Sequence, residues 1–232
     1  MTHSGESTSA LRVGGFTPFT TIDFPGELAA VVYLQGCPWR CRYCHNGELL
    51  EAGGESPVAW DDVLDMLRTR RGLLDAVVFS GGEPTAQQAL GAAILDVREL
   101  GFKVGLHSAG CYPQRLASLL PLLDWVGLDI KALPGDYPAL TGVDHSGERA
   151  FQSLQLVLGS GVRYEARVTV HGQLQDPPRL QRLLDLLAEY GVAEPVLQRC
   201  RDGEVLDPSL GANQLQWPDQ ARCTSEQWRR VQ

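Results

Sequence analysis

The chain reads as an α/β protein built on a parallel sheet, and three observations predict it. Six short apolar runs, rich in β-branched residues, recur along the 232 residues. Each run is nearly continuous in apolar residues, as strands buried on both faces are. Helical patterns separate the runs, and such alternation implies parallel strands joined by right-handed crossovers. Pattern alone leaves an open doubly wound sheet and an incomplete barrel both standing. In either architecture functional residues gather at the C-terminal ends of the strands.

The elements follow in order. Residues 1–10 are small and polar and are expected to form a disordered tail ahead of one domain spanning 11–232. Residues 11–27 are a Gly/Thr/Pro-rich lead-in that contains Thr21-Ile22-Asp23-Phe24-Pro25-Gly26. Strands are expected at 28–34, 76–79, 102–106, 125–130, 163–170 and 195–198. Helices are expected at 59–69, 86–100, 113–120, 147–158, 178–190 and 225–231. Leu180, Leu183, Leu184 and Leu187 form the i, i+3, i+4, i+7 stripe of an amphipathic helix. Pro178 near its start and Gly191 just past its end are the usual punctuation.

Composition narrows the function. Hydrophobic residues make up 44% and charged residues 21%, enough for a real core. No run approaches the roughly 18 apolar residues of a membrane span. The N-terminus lacks the apolar segment of a signal peptide, so a cytoplasmic location is expected, with no membrane partner. Six cysteines in that compartment are expected to be ligands or reduced core residues. A net charge of −8 argues against a nucleic-acid partner. Only two of the twenty basic residues are lysines, Lys103 and Lys131.

Chemistry concentrates in Gly36-Cys37-Pro38-Trp39-Arg40-Cys41-Arg42-Tyr43-Cys44-His45-Asn46, directly after the first apolar run. Thiolates select iron–sulfur clusters, zinc or copper(I) over hard cations. A cubane cluster normally takes four thiolates. Cys37, Cys41 and Cys44 alone would leave one iron open to a substrate or cofactor. The competing reading is a zinc site closed by His45 or a distant cysteine.

Three further stretches stand at strand ends. Gly81-Gly82-Glu83-Pro84 allows close backbone approach and offers a carboxylate to an ammonium group, or is a plain turn with a solvated glutamate. Asp129 and Lys131 alternate onto one face and could be no more than a surface ion pair. Arg167 could bind a carboxylate bidentately or snorkel from a rim. His171 falls at the end of the same strand, where capping or solvent exposure is the ordinary role.

C-x3-C-x2-C with Tyr43 before the last cysteine resembles the signature of the radical S-adenosylmethionine (SAM) superfamily. The resemblance implies a partial (β/α)6 TIM-like barrel and two cofactors, a 4Fe-4S cluster and SAM. It implies that Cys37, Cys41 and Cys44 bind three irons and that SAM chelates the fourth. It places Tyr43 against the adenine. It assigns Gly81, Gly82 and Glu83 to the SAM amino group, Asp129 and Lys131 to the ribose and methionine carboxylate, and Arg167 to the carboxylate. Leu106-His107-Ser108-Ala109-Gly110 departs from the L-D-T-N-G of many activases, so a cation site at His107 is in doubt, while Ser108 could still contact SAM.

The lead-in is the most family-specific stretch. Val13-Gly14-Gly15-Phe16, the 21–26 stretch and Cys44-His45-Asn46 resemble the activating protein of anaerobic ribonucleoside-triphosphate reductase. That likeness implies reductive cleavage of SAM to a 5′-deoxyadenosyl radical. It also implies a glycyl radical enzyme, anaerobic ribonucleotide reductase, as partner, and flavodoxin or ferredoxin as electron donor. A pyruvate formate-lyase-type activase, a compact 7-carboxy-7-deazaguanine synthase-like enzyme and a zinc-stabilised binding module are the alternatives. Cys111, Cys200 and Cys223 are expected to be ordinary reduced cysteines, although Cys200 and Cys223 could supply a further ligand or metal pair. Trp217 and Trp228 lie in a tail that matches less clearly.

Overall fold

A computed structural model describes residues 11–54 and 56–213. The expected tail at 1–10, the helix at 225–231, and Cys223, Trp217 and Trp228 lie outside the described residues.

Seven strands form one sheet in the order of the chain: β1 (Val13–Thr20), β2 (Ala29–Leu34), β3 (Ala76–Gly81), β4 (Lys103–Ser108), β5 (Trp125–Asp129), β6 (Arg163–Val170) and β7 (Val196–Arg199). β2 to β7 are parallel, and β1 pairs antiparallel with β2. The helices between them are α1 (Trp60–Thr69), α2 (Leu90–Glu99), α3 (Pro113–Leu119), α4 (Tyr137–Thr141), α5 (Ser146–Ser160) and α6 (Pro177–Glu189).

The strand order separates the two architectures that pattern left open. A doubly wound sheet reverses its order at a switch point. Here each strand lies beside its predecessor, so right-handed crossovers carry every helix to the same face. The other face curls inward, giving a partial barrel. Six strands were expected; β1 is the seventh. Its Gly14, Gly15 and Pro18 give no β-branched run, and it is a strand because it pairs along β2 from Val13↔Leu34 to Thr20↔Ala29. An edge position tolerates the proline.

Alternation sorts the side chains. Val32, Leu34, Phe79, Leu106, Leu128 and Val168 face the helices in the main core. Each such burial is worth about 1.5–3 kcal/mol. The helices meet them with matched stripes: Trp60, Val63, Leu64 and Leu67 on α1, and Leu180, Leu183 and Leu187 on α6. Asp176 caps α6 by accepting from the Arg179 amide at 2.8 Å, and Gly191, at φ +94°, follows its end.

The inner face carries a second, smaller core of Phe24, Ala29, Val31, Ala76, Val78 and Trp125. Phe24 comes from the 21–26 stretch, which folds under the barrel. Its ring stacks on Trp125 with centroids 5.4 Å apart. Gly105 makes room for it, because a Cβ there would lie 2.9 Å from the ring. The N-terminal end of the barrel is therefore plugged, and the C-terminal end holds the site. Among the described residues no helix is long and apolar enough to cross a membrane.

Candidate functional site

The cysteine segment leaves β2 as an irregular loop. Gly36, at φ +97°, turns the chain, its amide donating to Leu49 O at 2.8 Å, and the Cys37 amide donates to Leu50 O at 3.0 Å. On the far side the Arg40 and Arg42 amides donate to Thr141 O and Leu140 O. Loop backbone is thus satisfied by two segments, which leaves the thiols free to face inward. Cys37, Cys41 and Cys44 line one cavity of about 410 Å³ together with Tyr43, Gly81, Gly82, Ser108, Asp129, Lys131 and Arg167. Burial pushes the Cys41 thiol up to about 12, with Lys131 pulling the other way. Burial also raises Cys44. The thiol of Cys111, buried behind, hydrogen-bonds Cys37 and lowers it despite the opposing burial.

Among the described residues no group of three or more His, Cys, Asp or Glu side chains is placed to hold a single metal ion. Three thiols that line one cavity suit a cluster, in which each iron takes its own ligand. The residues present therefore fit a cubane held at three corners. His45 also lines the cavity, but its ring is turned to partners other than the three thiols. That ring sits 3.7 Å from Cys200 Sγ and places its Nδ1 3.0 Å from Glu204 O.

Gly81 and Gly82 bring the end of β3 against this loop. A Cβ on Gly81 would lie 2.4 Å from Leu34 N, and one on Gly82 2.5 Å from Gly36 O. Both obstacles are backbone, so the close approach requires glycine. Glu83 is fully buried and does not line the cavity. Its carboxylate accepts from Thr85 N (3.1 Å), Thr85 Oγ1 (2.6 Å), Ser108 Oγ (2.9 Å) and Ala109 N (2.9 Å). It ties the ends of β3 and β4 together from behind the wall. Ser108 does line the cavity, with its hydroxyl engaged by Glu83 and by the Gly110 amide.

Across the lumen stands a charged set. Arg167 Nε donates to Asp129 Oδ1 at 2.9 Å, and Lys131 Nζ lies 3.3 Å from Asp129 Oδ2. Asp129 and Arg167 are register neighbours on β5 and β6. The pair is no solvated surface bridge, since the Arg167 and Lys131 side chains are only 11% and 12% exposed. Burial would raise the Asp129 carboxyl, but Arg167 and then Lys131 outweigh it and hold it at about 2. Gly127 leaves room for this, because a Cβ there would meet Arg167 Cζ at 2.8 Å. Lys131 Nζ also lies 5.8 Å from the centre of the Tyr43 ring.

His107 has a structural duty. Nε2 is 2.9 Å from Asp23 O and must carry the proton, because a carbonyl only accepts. Nδ1 is then free to accept from Ser80 Oγ at 3.3 Å. The ring packs edge-on to Trp125 at 5.4 Å. Burial, reinforced by Arg167, lowers its pKa to about 3, so it is neutral. His171 is buried outside the cavity lining, accepting from the Gln173 amide and lying 3.3 Å from Gly211 O.

The cavity also has lining that motif reading missed, namely Glu165, Thr169, Gln198 and Arg199, and it includes Cys200, which the sequence offers as a candidate further ligand. Strand alternation outward from Arg167 marks Glu165 and Thr169 as sharing its face.

A model of the radical SAM superfamily matches residues 31–187. A pyruvate formate-lyase-activating enzyme of Clostridium pasteurianum is 31% identical over 193 residues, 80% of this chain and 79% of that protein. A Methanocaldococcus jannaschii protein, named provisionally as a glycyl-radical enzyme activating enzyme, is 29% identical over 177 residues, 71% of this chain and 70% of that protein. Among solved structures, Streptococcus suis SuiB bound to S-adenosylmethionine matches with a TM-score of 0.58 over 73% of this chain at 16% identity. The chain spans 39% of the SuiB chain, and the likeness is one of fold.

Proposed function

Because the chain belongs to the radical SAM superfamily, we propose that it is an activase that removes a hydrogen from a glycine Cα of a partner enzyme. The observation that carries this reading is the convergence of Cys37, Cys41 and Cys44 with Gly81, Gly82 and the Asp129–Lys131–Arg167 set on one cavity. When bound, a 4Fe-4S cluster and SAM supply one-electron cleavage of the SAM S–C5′ bond, the hard chemistry that no side chain offers. Cys37, Cys41 and Cys44 hold three irons. The backbone of Gly81 and Gly82 meets the SAM amino group, and Glu83 fixes that turn from behind. Tyr43 lies against the adenine, and Ser108 borders the same site. Asp129 and Lys131 meet the ribose and the methionine carboxylate. Arg167, oriented by Asp129, leaves guanidinium donors for the same carboxylate.

The lead-in residues 13–16 and 21–26 favour anaerobic ribonucleotide reductase as the partner, with flavodoxin or ferredoxin as the electron donor. The Clostridium relative favours pyruvate formate-lyase instead. Incubating the activase with each candidate and looking for a glycyl radical signal decides between them.

The cofactor reading is tested by electron paramagnetic resonance of anaerobically reconstituted, dithionite-reduced protein, with and without SAM. The expected result is a reduced cluster signal that changes on adding SAM. Cys37→Ala, Cys41→Ala and Cys44→Ala should each abolish SAM cleavage. Colourless protein with stoichiometric zinc, or wild-type cleavage in all three variants, would sink the proposal.

A further inference from the structure

The SAM contacts named above account for the cavity lining on β3, β4 and β5, and for Arg167 on β6. On the rest of the β6 and β7 face, Arg199 is engaged with Asn213 O and Asp202, and three polar groups that line the cavity are left without an assigned role. Thr169 and Gln198 are register partners on that face, and both line the cavity. Among the described residues neither side chain has a hydrogen-bond partner. Each carries a donor and an acceptor. Neighbouring strands run about 4.8 Å apart, so the two polar groups stand side by side to take the N–H and C=O of one residue of an extended chain, which point to the same side. Glu165 stands two residues back on the same face, opposite Gly127, and also lines the cavity. Its carboxylate has no ion-pair partner among the described residues, because Arg167 is turned to Asp129. A carboxylate only accepts, which suits a further N–H.

We propose that Thr169, Gln198 and Glu165 form a wall that reads the main chain of an extended, glycine-containing peptide segment. This rests on the activase reading and adds which residues meet the substrate. An anionic ligand would be drawn to Arg199 and Arg201, which line the cavity at the end of β7, and away from this wall, where Glu165 repels it. An apolar one would leave three polar groups unpaired. An uncharged peptide backbone satisfies all three.

The probe is N-acetyl-Ala-Ala-Gly-Ala-Ala-amide with an α-dideuterated glycine. Isothermal titration into cluster- and SAM-loaded protein reads binding, and deuterium appearing in 5′-deoxyadenosine reads abstraction. Thr169→Val and Gln198→Leu should each raise the peptide Kd and KM about five- to tenfold, the effect of one lost hydrogen bond, with kcat within twofold. Thr169→Ser, which keeps the hydroxyl, should bind like wild type. Equal binding by wild type, Thr169→Val and Gln198→Leu would overturn the wall and leave the activase reading standing. A wild type that cleaves SAM but does not bind the pentapeptide would also overturn it, with the activase reading then judged by the radical on a folded partner. Binding that depends on Thr169 and Gln198 without deuterium transfer would support the wall and count against the activase reading.

Discussion

A histidine held neutral inside a barrel makes stability depend on pH, and His107 is such a group. Its folded pKa of about 3 lies below the 6.5 of a free histidine. The unfolded chain therefore binds the extra proton first, so the stability His107 contributes is complete above pH 6.5 and drains away as pH falls toward 3. At pH 5 the loss is at most about 2 kcal/mol. His107→Asn removes the titration, and denaturant unfolding at pH 7 and pH 5 should show a smaller difference in the variant than in wild type. Equal differences would mean that the ring is protonated in place. The bond to Asp23 O explains why this substitution for the activase aspartate was opaque in the sequence: its partner lies 84 residues away in the plug. The cysteines were legible for the opposite reason, since three ligands within eight residues are a local pattern. Glu83 was half legible. Its place beside two glycines marked it, but only the fold shows that its carboxylate points at Ser108 and Ala109 behind the cavity wall.

Elements carry the next level, and the junction of β2 with β3 is where their spacing matters most. Gly82 N donates to Leu34 O, and Glu83 N donates to Gly36 O. A Cβ on Gly82 would meet Gly36 O at 2.5 Å and Leu49 O at 2.8 Å, all backbone, with no rotamer to relieve it. Gly82→Ala should therefore push β3 off the cysteine loop, costing about 1–3 kcal/mol and lowering iron content after reconstitution. Gly53→Ala is the control, because a Cβ there meets nothing within 4 Å. Chemical denaturation and iron assay on both variants check the contrast. The parallel strands were legible to within two residues because burial on both faces leaves continuous apolar runs. β1 was not, because Gly14, Gly15 and Pro18 hide an edge strand whose conformation is set by β2. The short α4 was missed for a similar reason: with Pro134, Gly135 and Pro138 in and before it, the stretch reads as a turn. Barrel or open sheet could not be read from the strand and helix pattern, since it depends on which face the crossovers pack against; the resemblance carried by the cysteine motif pointed to the barrel.

At the scale of the molecule, the chain after β7 returns to the cysteine loop and closes the site from the side opposite β3. Leu206 N donates to Cys44 O and Asp207 N to Arg42 O, both at 2.9 Å. Arg42 Nε meets Asp207 Oδ2 at 2.6 Å, across 165 residues of sequence that give no hint of the pairing. Ser209 and then Arg42 hold the Asp207 carboxyl at about 2, so the link persists down to acid pH and weakens only as pH falls below the ordinary carboxylate range. The cysteine loop is thus held on one side by Leu140 and Thr141 and on the other by this return strap. If the two supports share the load, releasing one should loosen the loop as well as the strap. Asp207→Ala should speed hydrogen exchange in peptides covering residues 40–46 and 203–210 together, while those covering β3 and β4 stay at wild-type rates. The Arg42–Asp207 pair is only partly buried, which makes part of this effect salt-sensitive, so wild type in high salt should move toward the variant. Faster exchange confined to 203–210 would mean that β2, Leu140 and Thr141 hold the cysteines unaided and the strap merely rests on them.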